Sequence, residues 1–197
     1  MHRPPHILAL CGSLREHSYT LRATQVVLDA AREQGASTEL APASALQLPL
    51  CDGRAETDFP PPVLTLRQRV ASASALVLAT PEYCGTLSAA LKNAIEWIGP
   101  DLLAGKVIGV VSVAAGPSAD GSLVALRELC MREGAWVIPA RAAVPLAERV
   151  FGDPDDAFSQ CVMAHVRALG AALPEAVARI AGPCAAATMD AETERAA

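Results

Sequence analysis

The chain has 197 residues and a formal net charge of −5 at pH 7, with 52% hydrophobic but only 4% aromatic residues. That length suffices for one domain with a complete core and requires no disulfide or structural metal. Mild acidity and few aromatic rings argue against a phosphate-backbone surface or a base-stacking platform, so nucleic acid is not an expected partner.

In chain order, short apolar runs alternate with helix-periodic segments, the pattern of a parallel sheet covered on both faces. Strands are predicted at 7–11, 38–41, 75–80, 107–113 and 136–139, and helices at 19–33, 62–72, 87–98, 122–133 and 154–173. The helix at 87–98 carries Leu87, Leu91, Ile95 and Ile98 on one stripe. Its Lys92 and Glu96 read as an exposed i,i+4 pair, and Trp97 as packing at a helix or subunit interface. Residues 42–62 are rich in Pro, Asp and Gly and too long for a simple loop, so this connection is expected to be functional or partly mobile. One domain is expected over 1–181, with a frayed tail at 182–197.

The six cysteines, Cys11, Cys51, Cys84, Cys130, Cys161 and Cys184, form no C-x-x-C pair and have no histidine at ligand spacing. No metal site is therefore expected, and apolar surroundings suit reduced thiols in a cytoplasmic protein. The start, Met1-His2-Arg3-Pro4-Pro5, lacks a signal-peptide core, and no apolar run reads as a membrane span, so no membrane partner is expected.

Two segments carry chemistry. Gly12-Ser13-Leu14-Arg15-Glu16-His17-Ser18-Tyr19-Thr20 lies between the first strand and the first helix. Gly12 would admit a ligand close to the backbone. Ser13, Ser18 and Thr20 offer hydroxyls, Arg15 a cation, and the helix start its unpaired N–H groups, a set suited to a phosphate monoester. Ser18 reads equally as a simple helix cap. Thr80-Pro81-Glu82-Tyr83-Cys84-Gly85-Thr86 follows the third strand. In a sheet of order 2-1-3-4-5 the ends of strands one and three are neighbours at the topological switch point, so the two loops would share one crevice. Cys84 has no neighbouring base in sequence and reads as a passive pocket residue, while His17 reads as solvated.

G-S-L-R-x-x-S, P-E-Y followed by L-K-N-A-I-E-W, and S-x-A-A-G-P with its downstream L-R-E-L together resemble the NAD(P)H-dependent FMN reductase family, including its quinone- and chromate-reducing members, over roughly residues 6–175. The resemblance implies a flavodoxin-like α/β fold with a five-stranded parallel sheet, order 2-1-3-4-5, and helices on both faces. It also implies bound FMN, NADPH or NADH as electron donor, a small-molecule acceptor such as FMN or a quinone, and a homodimer or dimer of dimers. By the same resemblance Ser13, Leu14, Arg15, Ser18 and Thr20 form the phosphate loop. Pro81, Glu82, Tyr83, Cys84 and Gly85 contact the ring and ribityl chain, and Ser112, Ala115 and Gly116 close the ring's other edge. Thr20 stands where relatives often have asparagine, and Ala114-Ala115-Gly116-Pro117 replaces a more glycine-rich run. No catalytic side chain is expected, because the cofactor carries the chemistry. The competing reading is a flavodoxin-type electron carrier, disfavoured by Arg15 and the modest net charge. A Rossmann dehydrogenase is disfavoured by the absence of G-x-G-x-x-G.

Overall fold

Strands β1 (His6–Cys11), β2 (Ser37–Leu40), β3 (Ala75–Pro81) and β4 (Val107–Val113) pair in parallel, and β3 and β4 are buried along their whole length. The structure, a computed structural model, describes residues 4–180. The tail expected from residue 182 lies outside the described residues. Continuous runs of Leu, Val, Ile and Ala suit strands whose two faces both meet helices. The sheet order is β2-β1-β3-β4-β5, the doubly wound flavodoxin-like arrangement.

The expected fifth strand needs correction. Residues 136–139 supply only β5 (Trp136–Val137), alongside the start of β4, and a sixth strand, β6 (Ala142–Val144), pairs with the end of β4. The sheet therefore has six strands, two of them sharing the fifth position. Pro139 supplies no backbone N–H, which accounts for the break between the two short segments.

Helices α1 (Tyr19–Glu33) and α7 (Ala157–Ile180) cover one face, and α2 (Pro61–Ser72), α3 (Ala89–Ile98) and α5 (Asp120–Arg132) cover the other. Two short helices, α4 (Pro100–Leu103) and α6 (Ala147–Gly152), were not anticipated. Each is too short to show a period. Helix α3 starts at Ala89, two residues later than expected, and Ser88 caps it, its side chain accepting from Leu91 N. Leu87 packs on the core from outside the helix. By length and composition α7 could cross a membrane, yet its Val162, Val166, Leu169 and Leu173 are packed into the core.

Gly170 sets how closely α7 crosses α1. A Cβ there would lie 2.1 Å from the Val27 carbonyl oxygen and 2.9 Å from Ala30 Cβ. Gly170→Ala is expected to destabilise the fold by roughly 1–3 kcal/mol through overpacking. Urea unfolding measures this, and an unchanged midpoint would show that the two helices separate without strain.

The connection at 42–62 is a strap with two 3-10 turns, Ala43–Leu46 and Glu56–Asp58, tied down along α3. Asn93 accepts from Cys51 N at 2.8 Å and donates to Pro49 O at 2.9 Å, and Trp97 Nε1 donates to the same carbonyl at 2.8 Å. Phe59 meets the Trp97 ring edge-on, with centroids 5.1 Å apart. Arg67, nearly buried, donates to the carbonyls of Trp97 and Ile98 and pairs with Asp101 and Glu56 at 2.6 and 3.0 Å. Unpaired carbonyls at the end of α3 thus gain a fixed cation as donor. Within the L-K-N-A-I-E-W run, Asn93 and Trp97 anchor this strap, and Lys92 and Glu96 form the expected exposed pair.

Candidate functional site

The loops after β1, β3 and β4 lie side by side because their strands are neighbours in register, with Cys11 opposite Ala79 and Pro81 opposite Val113. Hydrogen bonds join them directly. Gly12 N donates to Ala79 O at 2.7 Å, Ser88 Oγ donates to Gly12 O at 2.8 Å, and Glu82 N donates to Val113 O at 2.8 Å. Gly12 has a different role from the one its position suggested. A Cβ on it would lie 2.6 Å from Ser88 Oγ and 2.8 Å from Leu91 Cβ, so this glycine makes room for α3 and not for a ligand.

In the first loop, Ser18 caps α1, its Oγ accepting from Leu21 N at 3.0 Å, as the simpler reading anticipated. Ser13 is buried and accepts from Arg15 N at 3.4 Å, Thr20 is buried, and Leu14, Arg15 and His17 are exposed. The backbone N–H groups of Leu14, Glu16, His17, Tyr19 and Thr20 have no hydrogen-bond partner among the described residues. Neither does the Arg15 guanidinium, and the first turn of α1 holds no acidic side chain to offset its partial positive charge. A run of free donors beside an unpaired cation suits an anion. Beneath it, burial raises the pKa of the Cys11 thiol, which is therefore a neutral packing group.

The second loop folds back on itself. Tyr83 and Thr86 exchange two backbone hydrogen bonds of 3.0 Å around Cys84 (φ 52°) and Gly85 (φ 74°). Positive φ at both central residues is the geometry of a tight primed turn, and it costs Cys84 more than Gly85. Tyr83 is half exposed, Cys84 and Gly85 are exposed, and the N–H groups of the two turn residues are unpartnered among the described residues. Pro81 is buried at the end of β3.

Two of the expected contact residues use their polar atoms internally. Glu82 turns its carboxylate to the start of α5, accepting from Ser122 N at 2.8 Å and Ser122 Oγ at 3.1 Å. Ser112, fully buried, hydrogen-bonds Ser122 Oγ at 2.5 Å. Gly121 allows this docking, since a Cβ there would lie 2.4 Å from Gly85 O. In the third loop Ala115 and Gly116 are exposed and offer backbone and space. Gly116 O accepts from Leu146 N at 2.8 Å, and Leu146 adopts φ 47°. Cys84 and Leu146, the non-glycine residues with positive φ among those described, therefore both lie at this edge of the sheet. Strained backbone of this kind gathers where function constrains the chain. Sequence carries no signal for Leu146, a residue type that disfavours this conformation, nor for a Glu82–Ser122 pairing forty positions apart.

Residues 5–149 match the family model described as NADPH-dependent FMN reductase. The chain belongs to that family. It is 32% identical over 127 residues to an NADPH:quinone oxidoreductase of Arabidopsis thaliana, covering 62% of this chain and 65% of the relative. To an NAD(P)H-dependent FMN reductase of Pseudomonas aeruginosa it is 37% identical over 113 residues, covering 56% and 60%. The aligned part spans less than two thirds of either relative's length. Among solved structures, an oxidoreductase of Corynebacterium diphtheriae superposes with TM-score 0.71 at 15% identity, covering 89% of this chain and 98% of that one. A flavoenzyme NAD(P)H:acceptor oxidoreductase of Paracoccus denitrificans superposes with TM-score 0.69 at 24% identity, covering 87% and 97%. At such identities the superpositions establish the fold. In this FMN reductase family member the ends of β1 and β3 are neighbours, with β4 beside β3.

Proposed function

We propose that the protein is an NAD(P)H-dependent FMN and quinone reductase, with FMN held across the ends of β1, β3 and β4. The observation that carries this reading is the pairing of an anion-ready loop on β1 with an exposed, hydrogen-bonding turn on β3, side by side on adjacent strands. The residues fit FMN at both ends. Unpartnered N–H groups, the α1 N-terminus and Arg15 suit its phosphate, and a flat polar heterocycle suits the free N–H groups of Cys84 and Gly85.

When bound, FMN supplies two-electron redox chemistry between a nicotinamide and a small acceptor such as a quinone. Arg15 and the free N–H groups of Leu14, Glu16, His17, Tyr19 and Thr20 would hold the phosphate, with Ser13 and Ser18 fixing the loop's shape and Thr20 backing it. Leu14 is exposed on the loop. Cys84 and Gly85 would donate to the ring's polar edge, Tyr83 would pack at its rim, and the exposed Ala115 and Gly116 would leave room for a stacked substrate. Pro81, Glu82 and Ser112 hold the second and third loops at the correct spacing. Orienting two planar partners in contact is the principal demand, so no side-chain acid or base is assigned.

A homodimer or dimer of dimers, in which a neighbouring subunit completes this open face, and a cytoplasmic setting belong to the same proposal. The half-exposed Tyr83 supports the first, and the free thiols of Cys11, Cys51, Cys84, Cys130 and Cys161 support the second. Light scattering during sizing reads the assembly, and a monomer with full activity would contradict the shared pocket.

The protein mixed with FMN is expected to bleach on adding NADPH or NADH without any protein partner. If one face serves donor and acceptor in turn, double-reciprocal plots against a quinone should be parallel. Intersecting lines would reject the shared face. A bound flavin that NAD(P)H fails to reduce would favour the electron-carrier alternative.

A further inference from the structure

The first loop has few attachments to the rest of the protein. Gly12 holds its beginning to β3 and α3, but from Leu14 to His17 no side chain makes a hydrogen bond or ion pair among the described residues. The far end of the loop rests on the first turn of α1. That turn is clamped from outside, because Tyr19, its first residue, stacks on Phe151 of α6 with ring centroids 5.4 Å apart and planes inclined by 5°. Arg22, one turn along α1, completes the stack, its guanidinium carbon 4.4 Å from the Phe151 centroid and 5.7 Å from that of Tyr19. Its Nη2 also donates to Phe151 O at 3.4 Å. Arg22 has no carboxylate partner among the described residues, so its charge remains near the start of α1.

The other end of α6 is tied to the third loop. Leu146 N donates to Gly116 O at 2.8 Å and Ala147 N donates to Ala114 O at 3.0 Å. Residues 146–151 thus form a brace from the third loop to the first turn of α1. Two stacked rings with a cation over them resist sliding in a way that a lone surface ring does not.

We propose that Phe151 is a positioning residue for the phosphate end of the FMN site: by stacking on Tyr19 and Arg22 it fixes the N–H groups of the first turn of α1 toward the anion. This rests on the FMN-binding reading above. Phe151 itself offers no donor to the anion and takes no part in the chemistry. The role predicts a selective effect, because riboflavin has the ring and ribityl chain of FMN but no phosphate.

The test is equilibrium titration of wild type, Phe151→Ala and Phe151→Tyr with FMN and with riboflavin, following quenching of flavin fluorescence, with thermal melts of each apoprotein. Phe151→Ala should weaken FMN roughly three- to tenfold while leaving riboflavin affinity unchanged. Phe151→Tyr, which keeps the stacked ring, should bind FMN as wild type does. Equal weakening of both flavins by Phe151→Ala would show a general packing role and overturn the inference, as would unchanged FMN affinity. Should Phe151→Ala fail to fold, Tyr19→Leu removes the stack from the other side and must show the same FMN-selective loss. Wild type that binds no FMN would overturn the cofactor assignment itself, an outcome separate from any behaviour of the variants.

Discussion

Arg15→Ala is expected to weaken FMN binding by roughly ten- to a hundredfold, the equivalent of a charge-assisted contact of about 1.5–3 kcal/mol. The side chain is exposed and makes no ion pair or hydrogen bond among the described residues, so its removal breaks nothing within the protein. The unfolding midpoint of the apoprotein should therefore stay within experimental scatter, and the whole effect should appear in the ligand. Riboflavin, which lacks the phosphate, should bind the variant as well as it binds wild type. Raising the salt concentration should narrow the difference between the two proteins, because an exposed charge pair is screened. Fluorescence titration of FMN into both proteins decides it. Unchanged FMN affinity in folded Arg15→Ala would remove Arg15 from the site and leave the backbone donors and α1 to hold the phosphate alone.

Trp97→Ala should produce the largest loss of stability, about 3–5 kcal/mol, from deleting a large side chain that is only 1% exposed. For a chain of this size that corresponds to a fall in Tm on the order of 10 °C. The same ring holds the strap, through Pro49 O and the edge-on contact with Phe59. Its loss should therefore free residues 48–59 before the rest of the molecule unfolds, and tryptic cleavage after the exposed Arg54 should accelerate under native conditions. Trp97→Phe separates the two contributions, since it keeps most of the packing and loses only the donor to Pro49, with an expected cost near 1 kcal/mol. A strap that stays resistant to trypsin in Trp97→Ala would show that Asn93 and Arg67 suffice to hold it.

The alternation of apolar runs with helix-periodic segments was enough to order the sheet, because buried parallel strands and amphipathic helices each leave a local period in the chain. Helix α1 begins and ends where its pattern does, at Tyr19 and Glu33, since Ser18 caps it through a bond to a residue three positions away. The loops after β1 and β3 were visible for the same reason, each being a contiguous run of Gly, Ser, Arg or Pro between two periodic segments. What escaped the sequence depends on residues far apart along the chain. Pro139 divides the fifth strand, but only the register against β4 shows that β6 resumes the same position. Gly12 looks in sequence like an opening for a ligand, and the neighbour that fills its space, Ser88, arrives only when α3 folds against β1. The carboxylate of Glu82 is committed to Ser122, and Asn93 and Trp97 to the strap, by contacts spanning about forty residues or more. Local composition determined which segments become strands, helices and polar loops, because backbone propensity and hydrophobic period act within a few residues. Tertiary packing decided which of those polar groups remain free for a ligand, because a donor or acceptor is used up only when its distant partner is brought within hydrogen-bond reach.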